Sequence, residues 1–385
     1  MNDPVIVDCV RTPFGADGGV FRDTHPQDLA AAPLRALEER VGFDPASTVD
    51  DAAIGCVTAV DKQGSNIGRH ATMVAGWGDA VPGFQLNRMC GSGQTTLNLA
   101  AASVKSGYRD VMIAGGVEHM TDHPIGDDAG ERSETYHEQF PVGSQTNQFQ
   151  GAELIADRWD ITREDVDSIA LDSQRRWKEA WDAGHYDSQV TPVETELDGE
   201  EITVEVDEHP RPETDRETLS NLPVIAREEG DGVIHAGNSS GVVDGSAALL
   251  VADPDVADDR GWDPMARIVD THIVGVSPET ILTGPLPATN EILAANDMTG
   301  SDIDLFECNE AFASVVAAWL QDTDAEWDRT NVWGGAIAHG HPLGATGSML
   351  VTKLAHQLQE TGQRYGLSTM CIGLGMGVAT IIERV

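Results

Sequence analysis

The sequence predicts an α/β protein built from two similar α/β halves, with a loop-rich subdomain inserted between them. Three observations carry that expectation. Residues 87–116, NRMCGSGQTTLNLAAASVKSGYRDVMIAGG, read as a sharp turn, then an amphipathic helix with Leu97, Ala101 and Val104 on one face. A Gly107 stop and a short apolar strand over 111–114 follow. The same order of glycine-flanked turn, helix and apolar strand returns in NVWGGAIAHGHPLGATGSMLVTKLAHQLQETG and YGLSTMCIGLGMGVATIIERV, so the second half resembles a divergent copy of the first. Between them, long glycine-poor, charged segments such as DDAGERSETYHEQF break the pattern and read as an insertion, a type of connection often used as a lid or binding loop.

Taken in order, residues 4–10 form an apolar strand that ends in the turn RTPFG. A helix over 29–40 places Leu34, Leu37 and Val41 on one side. A buried-type strand over 52–57 and a helix over 65–75 precede Phe84 and Leu86, which lead into the turn at Cys90. These elements, with 236–261, make the first core half, 1–117 plus 236–261. The insertion spans 118–235. It holds a helix that begins at a Thr162 cap with Asp165 three residues on and stops at Gly184, and an alternating strand over 202–206. A strand over 247–251 rejoins the first layer. The second core half, 262–385, carries strands over 267–274 and 304–307 and helices over 287–296 and 310–320.

Composition narrows the class. The 385 residues carry 64 acidic and 24 basic side chains, a formal charge of −40, spread along the chain rather than gathered in a tail. With 40% hydrophobic residues in periodic runs this is a folded chain, not a disordered acidic one. A dense carboxylate surface suits the cytoplasm of a salt-accumulating halophile, where salt screens self-repulsion. No basic stripe exists to neutralise phosphates, which argues against nucleic acid as a partner. The five cysteines are odd in number, widely spaced and without a CxxC pair, so neither a disulfide framework nor a zinc ribbon is indicated. The start, MNDPVIVDCVRTPFG, has neither a basic flank nor a long apolar run, so no signal peptide or membrane span is expected and a cytoplasmic protein is the default.

The chemistry-bearing residues sit at four turns. Cys90 lies where free backbone N–H groups and a positive helix end converge, an arrangement that lowers a thiol pKa. The alternative is a buried small hydrophobe. His341, fixed by Pro342 within glycine-rich turns, suits proton exchange near neutral pH. Its alternatives are a satisfied loop histidine or a metal ligand paired with His339, although no carboxylate or cysteine stands at ligand spacing. Cys371 stands at a strand end before GLGMG, and Asn309 at a strand-to-helix junction where it is also a plausible helix N-cap. No phosphate-binding GxxxxGK[ST] is present.

NRMCGSG, NEAFA, GGAIAHGHPLGATG and CIGLGMG, in this order and spacing, resemble the four signature blocks of thiolases, and HAGNSSGVVDGSAA resembles a fifth. The resemblance covers nearly the whole chain. LTGPLPAT, DIDLFECNEAFASVV and RYGLSTMCIG make it similar to the degradative and steroid-type 3-ketoacyl-CoA thiolases. It implies the thiolase fold, a layered α-β-α-β-α core. It also implies acyl transfer between an enzyme cysteine and coenzyme A, by thiolysis of 3-ketoacyl-CoA or the reverse Claisen condensation. Cys90 would be the acylated nucleophile, activated by His341, and Cys371 the acid/base at the α-carbon. Asn309 would hold a water that forms an oxyanion hole with His341, and the N–H groups of Cys90 and Gly373 would form a second. Coenzyme A and acyl-CoA would be substrates, with no tightly bound cofactor. The insertion would carry coenzyme A, with Ser240 near the pantetheine arm and Arg211 near the nucleotide. A homodimer or homotetramer is implied, with a small accessory subunit as a possible further partner.

Trp333, His339, Leu374 and the pair Glu118-His119 depart from the family pattern. None removes a catalytic group, while Trp333 and Leu374 are candidates to reshape the acyl pocket. Two rival readings remain. A ketoacyl synthase-type condensing enzyme is disfavoured by the second-cysteine block. A thiolase-like acyl-CoA or lipid-binding protein, or a silent subunit of a thiolase complex, is disfavoured by the complete set Cys90, Asn309, His341 and Cys371.

Overall fold

The computed structural model describes residues 3–143, 145–228 and 230–385. Its strands in chain order are β1 (Val5–Arg11), β2 (Gly15–Ala16), β3 (Asp51–Gly55), β4 (Gly83–Leu86), β5 (Val111–His119), β6 (Val193–Leu197) and β7 (Glu200–Val204). They continue with β8 (Val243–Ala252), β9 (Ala266–Gly275), β10 (Leu305–Cys308), β11 (Tyr365–Ile372) and β12 (Met376–Arg384). In the first half the order across the sheet is β4-β3-β5-β8-β1, paired parallel, parallel, antiparallel, antiparallel. In the second half Thr330 bridges Phe306 in parallel at the edge, and β10-β11-β12-β9 continue with the same succession of pairings. Leaving β2 aside, both halves therefore read third, second, fourth, fifth, first in their own chain order. The internal copy suspected from the sequence is a copy of topology.

Helices Pro26–Val41 and Ile67–Val74 cover the outer face of the first sheet, and Pro285–Ala295 and Ala313–Asp322 that of the second. Between the sheets run Ser92–Lys105 and Leu343–Thr361, one from each half, packed on each other. This is the expected α-β-α-β-α layering. The two sheets are not separate, however. The edge strands β1 and β9 pair through Val5–Arg267 and Ile6–Ala266, joining both halves into one sheet.

The central pair of helices positions the chemistry. Every residue from Leu343 to Leu358 is buried, because this helix has protein on all sides. The two helices approach so closely that a Cβ on Gly93 would stand 2.7 Å from both the Gly344 carbonyl oxygen and Ser348 Oγ. Glycine at the contact is therefore a packing requirement. Cys90 and His341 precede these two helices in equivalent places of the two halves, so the close crossing brings their loops together.

The strand expected over 111–114 runs on past its glycines. β5 continues through Gly115 and Gly116 to His119, since a Cβ on Gly115 would meet the Ala247 carbonyl oxygen at 2.6 Å. The expected helix over 310–320 begins only at Ala313, with extended Phe312 as its N-cap, so Asn309 is not a cap. The helix expected from the Thr162 cap is Arg163–Asp182, and the Thr162/Asp165 capping box is formed. The strand expected over 202–206 is β7, which pairs with β6 in a separate hairpin.

Residues 118–235 are tied to the core by a buried ion pair. Arg11, at the RTPFG turn, donates to Asp207 at 2.6 and 2.9 Å. The Phe14 N–H and Trp177 Nε1–H complete the shell of that carboxylate.

A second buried pair stiffens the His341 side of the core. The Lys353 ammonium stands 2.9 Å from Glu307 Oε2, both side chains fully buried, and also donates to the Gly334 carbonyl. Burial pushes the Glu307 carboxyl up to about 7. Lys353→Met would strand this carboxylate without its cation, at a cost of about 3–5 kcal/mol. Glu307 titrates higher in the folded chain than its ordinary 4.5, so its contribution to stability is lost as pH rises through about 7. Without Lys353 that loss deepens, and the deficit of the variant should be larger at pH 8 than at pH 5. Denaturant melts of both proteins at the two pH values check this.

Candidate active site

The turn that carries Cys90 is built by short-range polar bonds. Asn87 Oδ1 accepts from Met89 N–H at 2.8 Å and Asn87 Nδ2 donates to the Val57 carbonyl at 2.9 Å. Ser92 Oγ donates to the Met89 carbonyl at 2.6 Å and accepts from Arg88 N–H at 2.9 Å. These bonds hold Met89 at φ +46°, a left-handed conformation that is costly for a side chain with a Cβ. Cys90 follows, buried at the mouth of the central helix. The N–H groups of Gly373 and of Cys90 itself face its sulfur.

His341 is fixed from both ring nitrogens. Its Nδ1 lies 2.6 Å from Thr346 Oγ1, whose own proton goes to the Pro342 carbonyl at 2.9 Å. The hydroxyl must then accept, which puts the ring proton on Nδ1. Nε2 is left as the basic nitrogen, and Asn309 Nδ2 donates toward it at 3.4 Å. His341 N–H donates to the Gly241 carbonyl at 3.0 Å, tying this loop to the Ser239–Gly241 segment. Asn309 is held by its own N–H to the Thr369 carbonyl at 3.0 Å, beside the strand that carries Cys371. Its Oδ1 is buried without a partner in the protein, an acceptor suited to a bound water.

Electrostatics corrects one expectation. The convergent N–H groups do favour the thiolate of Cys90, but burial outweighs them and pushes its thiol up to about 11. Burial likewise pushes His341 down to about 4. The Cys371 thiol is raised further, first by burial and then by the nearby Cys90 sulfur. The resting pair is thus a neutral thiol and a neutral imidazole. Alkylation of Cys90 by iodoacetamide, mapped by mass spectrometry, should be slow at pH 7, rise about tenfold per pH unit from there, and level off only at a pH of about 11. A plateau below pH 8 would show a resting ion pair instead.

The site opens into a cavity of about 520 Å³. Its walls are mainly apolar, with Met89, Met120, Phe149, Phe312 and Leu374 among them, and His341, Gly373 and Ser240 also line it. Of the residues expected at the site, His341, Gly373 and Ser240 line the cavity, Asn309 bonds toward His341 Nε2, the Gly373 N–H faces the Cys90 sulfur, and Cys371 lies within electrostatic reach of that sulfur. Arg211 is not among the lining residues. Its guanidinium donates to the carbonyls of Glu208, His209 and Pro210 in its own loop. Trp333 does not reach the cavity either: it stacks on His185 at 5.0 Å and accepts from the Tyr186 hydroxyl through its carbonyl. His339 and His341 do not converge as metal ligands, since His339 Nδ1 bonds the Gly340 carbonyl and its ring packs on Phe14.

Some contributors had no usable sequence signal. Thr346, which sets the His341 tautomer, reads as an ordinary helix residue. Glu118 is noticed in the sequence only through its neighbour His119, which stands where the family commonly has Ser after Glu. Its buried carboxylate accepts from the N–H groups of Val57, Thr58 and Gly344 at 2.8–2.9 Å, so it joins the two loops that flank Cys90 and His341. Glu310 accepts from Ser173, Asn331 and the Ile337 N–H, which holds the GGAIA segment beside Asn309. Arg132 is the one Lys or Arg among the described residues that line the cavity.

Comparison with known proteins places this geometry in a family. Residues 4–255 match the thiolase N-terminal domain and residues 262–384 the thiolase C-terminal domain. The chain is 40% identical over 399 residues to a steroid 3-ketoacyl-CoA thiolase of Mycobacterium tuberculosis, covering 100% of this chain and 95% of that protein. It is 39% identical over 405 residues to the 3-oxoadipyl-CoA/3-oxo-5,6-dehydrosuberyl-CoA thiolase of Escherichia coli, with both chains covered in full (100%). The crystal structure of human mitochondrial 3-ketoacyl-CoA thiolase, solved also in complex with CoA, superposes with a TM-score of 0.91 at 34% identity, covering 100% of this chain and 99% of that one. With both domains matched and the fold shared along its whole length, this chain belongs to the thiolase family.

Proposed function

We propose that this protein is an acetyl-CoA C-acyltransferase that cleaves 3-ketoacyl-CoA with coenzyme A into acetyl-CoA and a shortened acyl-CoA, or runs the reverse condensation. The observation that carries the reading is that His341 and Gly373 line one apolar cavity, with the Gly373 N–H facing the Cys90 sulfur, Cys371 close to that sulfur and Asn309 bonded toward His341 Nε2. In thiolysis, His341 Nε2 takes the Cys90 proton as the sulfur attacks the 3-oxo carbon. The resulting oxyanion is held by the N–H groups of Cys90 and Gly373. The C2–C3 bond then breaks, the acyl group stays on Cys90, and the acetyl-CoA enolate takes a proton from Cys371. A water on Asn309, with His341, holds the enolate oxygen. Coenzyme A then gives its thiol proton to the Cys371 thiolate and attacks the acyl-enzyme, and the departing Cys90 sulfur takes its proton back from His341. Neutral resting partners suit this cycle, because charge is created only when the substrate is in place.

Ser240 sits beside the pantetheine arm. Arg211 serves the nucleotide end, where its guanidinium must leave its own loop's carbonyls to reach a phosphate. In this reading residues 118–235 are a subdomain inserted into the core half 1–117 plus 236–261, followed by the half 262–385. The protein works as a homodimer or homotetramer in the salt-rich cytoplasm of a halophile, with an accessory subunit as a further candidate partner. The charge of −40 supports the last setting. Among the described residues no helix is long and apolar enough to cross a membrane.

Two-substrate kinetics in molar salt test the proposal. Varying 3-ketoacyl-CoA at several coenzyme A concentrations should give the parallel double-reciprocal lines of a ping-pong mechanism. Binding of acyl-CoA with no turnover of any 3-ketoacyl chain would favour a binding or silent-subunit role.

A further inference from the structure

The connection between β11 and β12 is the three-residue turn Gly373-Leu374-Gly375, closed by the pairing of Ile372 with Met376. Leu374 takes φ +69° and Gly375 φ +82°. Glycine at 375 is required, since a Cβ there would meet the Val276 carbonyl oxygen at 2.7 Å. No comparable packing need explains a leucine at 374. A left-handed conformation opposes a branched side chain, and the side chain is 44% exposed, so burial in the protein offsets little of that strain. The side chain instead lines the cavity beside Gly373. Met89, like Ile281 a further apolar residue held at positive φ on this cavity, lies beside Gly373, its Cβ and Cγ 3.7 Å from where a Cβ on that glycine would lie. Two strained apolar side chains thus adjoin the backbone that faces the Cys90 sulfur.

We infer that Leu374 and Met89 form the walls of a narrow slot at the reacting carbon, and that Leu374 restricts the enzyme to acyl chains unbranched at the carbons next to that carbonyl. The inference rests on the acyl-transfer reading of this cavity. A carbonyl held at the Gly373 N–H places its neighbouring carbons against the next side chain in sequence, which is Leu374. A methyl branch or ring carbon there competes with the leucine for the same space.

The test compares kcat/KM for 3-ketohexanoyl-CoA and its 2-methyl derivative in wild type, Leu374→Gly and Leu374→Asn. The wild type should prefer the unbranched substrate by at least about tenfold, the discrimination one misplaced methyl group gives in a tight pocket. Leu374→Gly should narrow that ratio by about tenfold while its Tm does not fall, since glycine accepts φ +69° freely. Leu374→Asn tolerates the same backbone and keeps most of the volume, so it should retain the preference. A ratio unchanged in Leu374→Gly, or a wild type indifferent to the branch, overturns the inference while leaving the thiolase reading intact. Turnover of neither substrate by the wild type removes that reading itself.

Discussion

Cys90→Ala should lower kcat/KM for thiolysis by on the order of 10⁴-fold or more, with acyl-CoA binding retained. The size follows from the role proposed for the sulfur: without it no acyl-enzyme forms, and what is left is catalysis by positioning and the oxyanion donors alone. The fold should tolerate the change. Cys90 is a small buried side chain whose turn is held by Asn87, Ser92 and backbone bonds, none of which uses the sulfur. Steady-state kinetics with a melting curve on the same sample check both halves of the expectation. Thiolysis within tenfold of wild type would remove Cys90 from the mechanism.

Cys371→Ala should separate the two half-reactions. Carbon–carbon cleavage needs a proton for the departing enolate, so thiolysis should fall by roughly 10²–10⁴-fold, the range for loss of a positioned acid or base. Exchange of labelled coenzyme A with an unbranched acyl-CoA needs only Cys90, His341 and the Gly373 N–H, and should persist within an order of magnitude. The burial that raises the Cys371 thiol is what keeps it protonated and able to donate. Equal loss of both reactions would place Cys371 in acylation itself, or in the integrity of the hairpin.

The sequence made the α/β class, the repeat and the four candidate site residues legible for identifiable reasons. Strong caps such as Thr162/Asp165 are local, and the formed box matches them. The signature turns combine rare residue types in fixed order, so Cys90, His341, Asn309 and Cys371 stood out before any contact was known. What stayed hidden depends on distant partners. Gly115 and Gly116 look like a strand end until β8 and the Gly344 segment are seen pressed against them. Asn309 looks like a cap until Phe312 takes that place and the Asn309 amide turns to His341. The helix end alone predicts an acidified Cys90 thiol, an argument that leaves out how completely the folded chain buries it. Trp333 was suspected of shaping the pocket, yet it closes an aromatic cluster with His185 and Tyr186 away from it.

The most direct measurement is the intact mass of the protein in high-salt buffer after adding a 3-ketoacyl-CoA without free coenzyme A. An adduct equal to the shortened acyl group, mapping to Cys90 and discharged by added coenzyme A, is the predicted result. Bound acyl-CoA with an unchanged protein mass at every chain length, or an adduct on another residue, would contradict acyl transfer through Cys90.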